Sequence, residues 1–292
     1  MSSSDSVARG GAISSADDIS NSTFSNNSVS SSSSGDLFFD DSSASGGAIS
    51  GAGDISNSTF SNNSVSSSSS EGNASAYGGA IQKANTIISS NFNANIAITG
   101  GAVSGINQIS NSVFTKNTAS QNGGAINDAK YIINSLFADN TAANGGAISA
   151  GGLNLINSTI VNNSTSESGG GFYGTGKVLN CIFHQNTAGS EANDITPYSD
   201  GSLNLDYNLV NNLTGTYDYG THNIMGEPNF VDAANGDYSL SANSPAIDIG
   251  DDSVLENEEY TFPKNTQEKF IDLNNNLRVI GKAIDLGAYE RQ

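Results

Sequence analysis

Ile, Phe, Val and Ala recur at fixed intervals along an otherwise Gly-, Ser- and Asn-rich chain. A Gly-Gly-Ala-Ile tetrad starts at Gly10, Gly46, Gly78, Gly123 and Gly145, with variants at Gly100 (Gly-Gly-Ala-Val) and Gly169 (Gly-Gly-Gly-Phe). An apolar residue with Asn three positions later follows each one: Phe24/Asn27, Phe60/Asn63, Phe92/Asn95, Phe114/Asn117, Phe137/Asn140, Ile160/Asn163 and Phe183/Asn186. The first Gly and the apolar residue are 14 positions apart in six repeats and 15 in one, and from the third repeat the period is 22 to 24 residues.

That period selects the architecture. A coil of about 22 residues accommodates three short strands joined by turns, which predicts an all-β, right-handed parallel β-helix. A leucine-rich repeat shares the period but needs Leu where this chain has Gly, Ser and Asn. Alternation places Ile109, Asn111 and Val113 on one strand face, with a bend at Phe114. The Phe positions are expected to stack inside, each over the next at the inter-strand spacing of about 4.8 Å. Asn27, Asn63, Asn95, Asn117, Asn140, Asn163 and Asn186 are expected to form a structural ladder, since Asn tolerates left-handed turns and its amide can bond to the copies above and below. Asn21, Asn57, Asn111, Asn134, Asn157 and Asn180, with Ser89 interrupting, predict a second ladder. The Gly pairs predict a tight turn with positive φ or a close approach of coils.

Residues 10–34 and 46–70 differ only at Ser15/Gly51 and Asp17/Gly53, an internal duplication. The expected organisation is regular repeats over 1–190 with Ser-rich insertions at 28–45 and 64–77, irregular coils over 191–250, and an acidic C-terminal cap over 251–292. The insertions read as solvated loops leaving one corner of successive coils. The cap, with Asp251, Asp252, Glu256, Glu258 and Glu259, is expected to fold over the last coil and shield its open strand edges.

Composition then narrows the function. Only 13% of residues are charged, and the net charge of −19 with ten Lys and Arg argues against nucleic acid or an anionic membrane surface as partner. The single cysteine, Cys181, excludes an intramolecular disulfide framework. The N-terminus has neither a basic nor an apolar signal region, and no stretch has the length of a transmembrane helix. An excerpt of a longer protein, or export without an N-terminal signal, is expected.

The Gly-Gly-Ala-Ile and Phe-x-x-Asn signatures over 10–186 resemble the polymorphic outer-membrane-protein repeat of bacterial autotransporter adhesins. That resemblance implies a surface-displayed passenger implicated in adhesion. A full member would add a signal peptide and a membrane barrel, and neither is found here. A second resemblance lies in Asn229-Phe230-Val231-Asp232, Gly236-Asp237-Tyr238-Ser239-Leu240, Ser244-Pro245-Ala246-Ile247-Asp248-Ile249-Gly250, Asp272 to Arg278 and Ile284 to Glu290. These look like the closing module of choice-of-anchor β-helix surface proteins, although Asn274 and Asn275 replace the Asp and Gly of many relatives.

Catalytic chemistry has one place to reside. Asp194, Asp200, Asp206 and Asp218 are dense, with His184 and His222 nearby, so 184–222 is where a carbohydrate-active enzyme would keep its carboxylates. Lyase chemistry would need a poised base, but Lys83, Lys116, Lys130 and Lys177 fall in different coils, and Arg9, Arg278 and Arg291 lie towards the ends. Asp128 and Asp139 share a coil on opposite sides of it. Asp272, Asn274 and Asn276 mimic half of a calcium loop. A flat ice-binding array is broken in the column Thr23, Thr59, Asn91, Val113, Leu136, Thr159, Cys181. The expectation is therefore a non-catalytic, extracellular or cell-surface protein, adhesin-like or structural, with no catalytic or metal residues and no cofactor except calcium as an alternative. It is expected to be a monomer, with glycan or host cell-surface molecules as partners and no nucleic acid. A carbohydrate-active enzyme and a passive stalk are the competing readings.

Overall fold

The computed structural model describes residues 6–33, 41–70, 73–199, 201–256 and 271–292. Glu258 and Glu259 of the expected cap fall outside them. The described chain is a parallel β-helix solenoid: long stacks of parallel strands form three sheets of ten, seven and eight strands, each receiving one strand per regular coil. The path through the ten-stranded sheet holds nine strands in succession, so the described residues make nine coils.

One coil explains the rest. The long strand Val103–Ser110 ends at Asn111, whose φ of +46° turns the chain by about a third of a revolution into Val113–Thr115. Lys116 at φ +57° makes the second corner, and Thr118–Ala119 follows. The third corner is Gly123-Gly124, after which Ile126–Ile133 pairs with the long strand it left. The left-handed Asn111 breaks the alternation expected across Ile109, Asn111 and Val113. Ile109 is buried in the main core, while Val113 is half-buried on the outer side.

The two glycines of each pair do different work. The first has φ between +58° and +67° in all seven repeats. The second lies against the next coil, so that a Cβ on Gly79 would sit 2.0 Å from the Gly101 carbonyl oxygen. No other residue fits there.

Phe24, Phe60, Phe92, Phe114 and Phe137 form the interior stack, with successive centroids 5.1, 4.7, 4.7 and 4.9 Å apart and rings within 6° of parallel. Strand spacing sets that distance, which exceeds ring thickness, so the rings sit offset as their quadrupoles favour. Each fully buried Phe contributes roughly 1.5–3 kcal/mol.

The Ser-rich segments are not loops over their described length. Ser28–Ser33 and Ser64–Ser69 are strands paired residue for residue, and Ser42–Ser45 joins Ser6–Arg9 and Ala74–Tyr77 in a three-stranded parallel sheet. These layers close on a small apolar core of Val29, Ala44, Val65, Ala76 and Ala97. Serine hydroxyls fill the remainder: Ser31 Oγ donates to the Ser6 carbonyl at 2.8 Å, and Ser67 Oγ to that of Ser42 at 2.8 Å. Alternating Ser suits this because its small hydroxyl satisfies itself against backbone wherever the layers meet.

The described C-terminal residues run back along the flank of the solenoid instead of closing its last coil. Val254 and Ile284 pack on Ile133, Ile156 and Leu179, while Ala288 and Tyr289 pack on Leu136, Ala138 and Val161. The cause lies at the first corner of three coils, where Asn134, Asn157 and Asn180 offer hydrogen bonds that the segment takes. At the final coils Met225 and Tyr219 remain exposed.

Candidate functional site

The seven regular coils carry versions of one short string at their first two corners, seen as Asn57-Ser58-Thr59-Phe60-Ser61-Asn62-Asn63. Asn57 and Asn62 are left-handed, Phe60 points inward, and Asn63 is fully buried. Asn63 Nδ2 donates to Asn95 Oδ1 and to the Phe24 carbonyl, both at 3.0 Å, and Asn95 Oδ1 also accepts from the Asn63 backbone at 3.0 Å. The same bonds run from Asn27 through Asn95, Asn117, Asn140 and Asn163 to Asn186. The left-handed residue is the one before each ladder Asn: Asn26, Asn62, Ala94, Lys116, Asp139, Asn162 and Gln185. Turn and ladder are thus separate positions, where the spacing alone suggests one residue doing both.

A serine column escaped the sequence reading. Ser58 Oγ donates to the Ser56 carbonyl at 2.8 Å and accepts from the Ser22 backbone, and Ser90, Ser112, Ser135 and Ser158 repeat the arrangement. The signal was the Ser after each corner Asn. Cys181 occupies this column, donating to the Leu179 carbonyl at 3.2 Å, while Ile182 pairs with Thr159. The surface column read as Thr159 to Cys181 therefore continues to Ile182. Burial pushes the Cys181 thiol up to about 12, so it stays protonated and inert.

The acids and histidines of 184–222 separate into different environments. Asp194 is fully buried and accepts from Asn186 Nδ2 at 2.9 Å and the Asn212 backbone at 3.0 Å, which terminates the Asn ladder. Asp206 accepts from the His222 backbone at 3.0 Å and lies 3.2 Å from His222 Nδ1, and the His222 ring stacks on Tyr207 at 4.2 Å. Asp218 is exposed and pairs across strands with Asn204. His184 faces Glu227 at 3.5 Å. Asp200 lies outside the described residues. Asp128 is a left-handed residue inside the long strand Ile126–Ile133, whereas Asp139 is the left-handed residue of the second corner.

Asp272, read as half of a calcium loop, organises its own turn. Its buried carboxylate accepts from the Asn274, Asn276 and Glu290 backbones at 2.9, 2.7 and 3.0 Å. Among the described residues, no group of three or more His, Cys, Asp and Glu side chains is placed to hold a metal ion.

Arg278 is 1% exposed, and its Nη2 donates to Asn134 Oδ1 at 2.7 Å, the Gly287 carbonyl at 2.7 Å and the Asn157 carbonyl at 3.2 Å. Burial lowers its pKa to about 10, opposed by the nearby Glu290, Asp272 and Asp285, so the guanidinium keeps its charge at neutral pH. Burial raises Glu290 to about 7. This side chain pins the C-terminal segment to the corner asparagines.

Two grooves open where the segment meets the solenoid. One, of about 550 Å³, lies between the second-corner residues Lys116, Asp139 and Asn162 and the Ala233–Gly236 turn, and Tyr238 accepts from Asn162 at 3.3 Å. The other, of about 370 Å³, lies between the first-corner residues Asn57, Ser89 and Asn111 and the segment's Leu273, Asn274, Asn275 and Tyr289. Both present amides, hydroxyls and a tyrosine, a set suited to binding a polar ligand without transforming it.

Stacked corner residues on a parallel solenoid define a β-helix repeat protein. More particularly, the family model for the Chlamydia polymorphic membrane protein repeat matches residues 21–52 and 111–127, stretches that contain these corner strings. No curated protein and no solved structure matches the chain. Among the described residues no helix is long and apolar enough to cross a membrane, which leaves β-barrels unaddressed.

Proposed function

We propose that this chain is a non-catalytic, adhesin-like module displayed outside the cell, engaging a glycan or another cell-surface molecule along the flank of its solenoid. The observation that carries this reading is the fate of the groups that could run chemistry. Asp194 is committed to ending the Asn ladder, His222 and Asp206 to each other, and His184 faces Glu227, while the 370 Å³ groove holds neutral amides and a tyrosine. The match to a polymorphic membrane protein repeat supports display at a cell surface.

A glycan and polysaccharide panel run on the purified protein, with and without calcium, tests it by scoring both retention and release of reducing or unsaturated ends. Retention without release is the expected result. Product release that disappears in Asp206→Asn would make the protein an enzyme, and silence on both scores would leave a passive stalk.

A further inference from the structure

The first-corner column is occupied along only part of its length. Asn180 Oδ1 accepts the Asp251 N–H at 2.8 Å and its Nδ2 donates to the Asp251 carbonyl at 3.1 Å, so one side chain grips a donor and an acceptor together. Asn134 Nδ2 likewise donates to the Ile271 carbonyl at 3.0 Å while its Oδ1 accepts from Arg278. Asn111 is the next copy along. It is 8% exposed, and its Oδ1 is buried with no hydrogen-bond partner. A buried acceptor without a donor is an uncompensated cost, one that Asn157 Oδ1 shares in the same column. Asn111 lines the 370 Å³ groove.

We infer that this groove binds an N-acetylhexosamine, with Asn111 gripping the sugar as Asn180 grips the Asp251 backbone. Resting on the adhesin reading above, this names the ligand chemistry and the place. The acetamido N–H at C2 and the hydroxyl oxygen at C3 supply a neighbouring donor and acceptor, which are the two groups Asn180 holds. Val113 and Leu273 offer apolar surface for the acetyl methyl, and Tyr289 a ring for a sugar face. Asn91, Asn274 and Asn275 are exposed around it and can both donate and accept towards hydroxyls. None of the described lining residues is charged, which disfavours uronates and sialic acids. An extended peptide is less well matched, because strand addition needs an open sheet edge and this groove is walled by corner side chains.

The test is calorimetric titration of the whole chain with triacetylchitotriose and with cellotriose, which has the same linkage without the acetamide. Asn111 and Asn275 have φ of +46° and +65°, so Asn111→Gly and Asn275→Gly remove the amides while the backbone conformation stays favourable. Chitotriose is expected to bind, with cellotriose and both Gly variants weaker by about tenfold or more at unchanged Tm, the loss of about one hydrogen-bonded contact. Equal binding by the variants would overturn the groove and leave the adhesin reading standing. Retention of other glycans without chitotriose binding would overturn the acetamide. A capped alanine tripeptide that binds more tightly than chitotriose, and does so through Asn111, would replace the sugar by a peptide. If the chain retains no glycan at all, both readings fall together.

Discussion

The coils from Gly10 to Asn186 and the segment from Asn229 to Gln292 solve the problem of buried polar groups in opposite ways. In the coils each ladder Asn up to Asn163 meets another Asn one strand away, so a single solution repeats down the stack. Among the described residues of the segment the buried charged groups are Asp272, Arg278, Asp285 and Glu290, each with its own partners. Repetition spreads the cost of desolvation across identical neutral amides, whereas the segment concentrates it on one guanidinium amid three carboxylates. The first design tolerates extension by duplication, as residues 10–34 and 46–70 show. The second exists once and depends on each member.

The sharpest way to break the coil half of this comparison is Asn140→Ala. Asn140 accepts from the Asn117 backbone and side chain and donates to Asn163 and to the Phe114 carbonyl, so its removal takes partners from the coils on both sides. At 1–3 kcal/mol for each buried group left unpaired, a loss of about 4 kcal/mol is expected in urea unfolding. Asn27→Ala, at the half-buried edge, should cost about 1 kcal/mol by the same reasoning. Equal effects at the two positions would show that the ladder adds nothing beyond local turns.

The segment half breaks at Arg278. Arg278→Met keeps the volume and removes the donors to Asn134, Asn157 and Gly287, leaving three carboxylates without their cation. A loss of about 3 kcal/mol is expected from such a buried cluster. Because the segment lies on the flank, the loss should be local. Hydrogen exchange should accelerate over 271–292 while the amides of Phe60 and Phe92 stay protected. Uniform acceleration through the coils would mean that segment and solenoid unfold as one body.

The same contrast explains what could be read from the chain alone. Six copies of Phe-x-x-Asn and one of Ile-x-x-Asn define the period, the interior stack and the ladder positions, because a repeat lets one residue's role be inferred from its neighbours. The left-handed residue before each ladder Asn was hidden because Asn, Ala, Lys, Asp and Gln all occupy it. Its requirement is a backbone angle, which different side chains meet at modest cost. The serine column was concealed by how common Ser is elsewhere. Around the segment repetition gives no help: Arg278 reads as a terminal charge, and only its place against Asn134 and Asn157 makes it buried. The acids of 184–222 attracted attention by density along the chain, yet density says nothing of direction. Asp194 turns inward to the ladder while Asp218 faces solvent.

Glu290 sharpens the comparison through pH. Burial raises its carboxyl from 4.5 to about 7, and that of Asp285 is also raised mainly by burial. A carboxyl with a raised folded pKa binds its proton more tightly when folded, so its contribution is fully present below about pH 4.5 and is lost as pH rises through about 7. The C-terminal segment should therefore be held more firmly at pH 5 than at pH 8, opposite to the usual behaviour of paired surface acids. With the charge of Arg278 offsetting part of the cost, about 1–2 kcal/mol is expected across this range. Glu290→Gln, which keeps the shape and an acceptor, should flatten the dependence and slow exchange over 271–292 at pH 8. The ladder amides do not titrate, so protection in the coils between Phe60 and Phe137 should stay nearly level over the same range. A segment whose protection rises with pH in the native chain would place the charged form of Glu290 as the one the fold prefers, with the attraction of Arg278 outweighing burial.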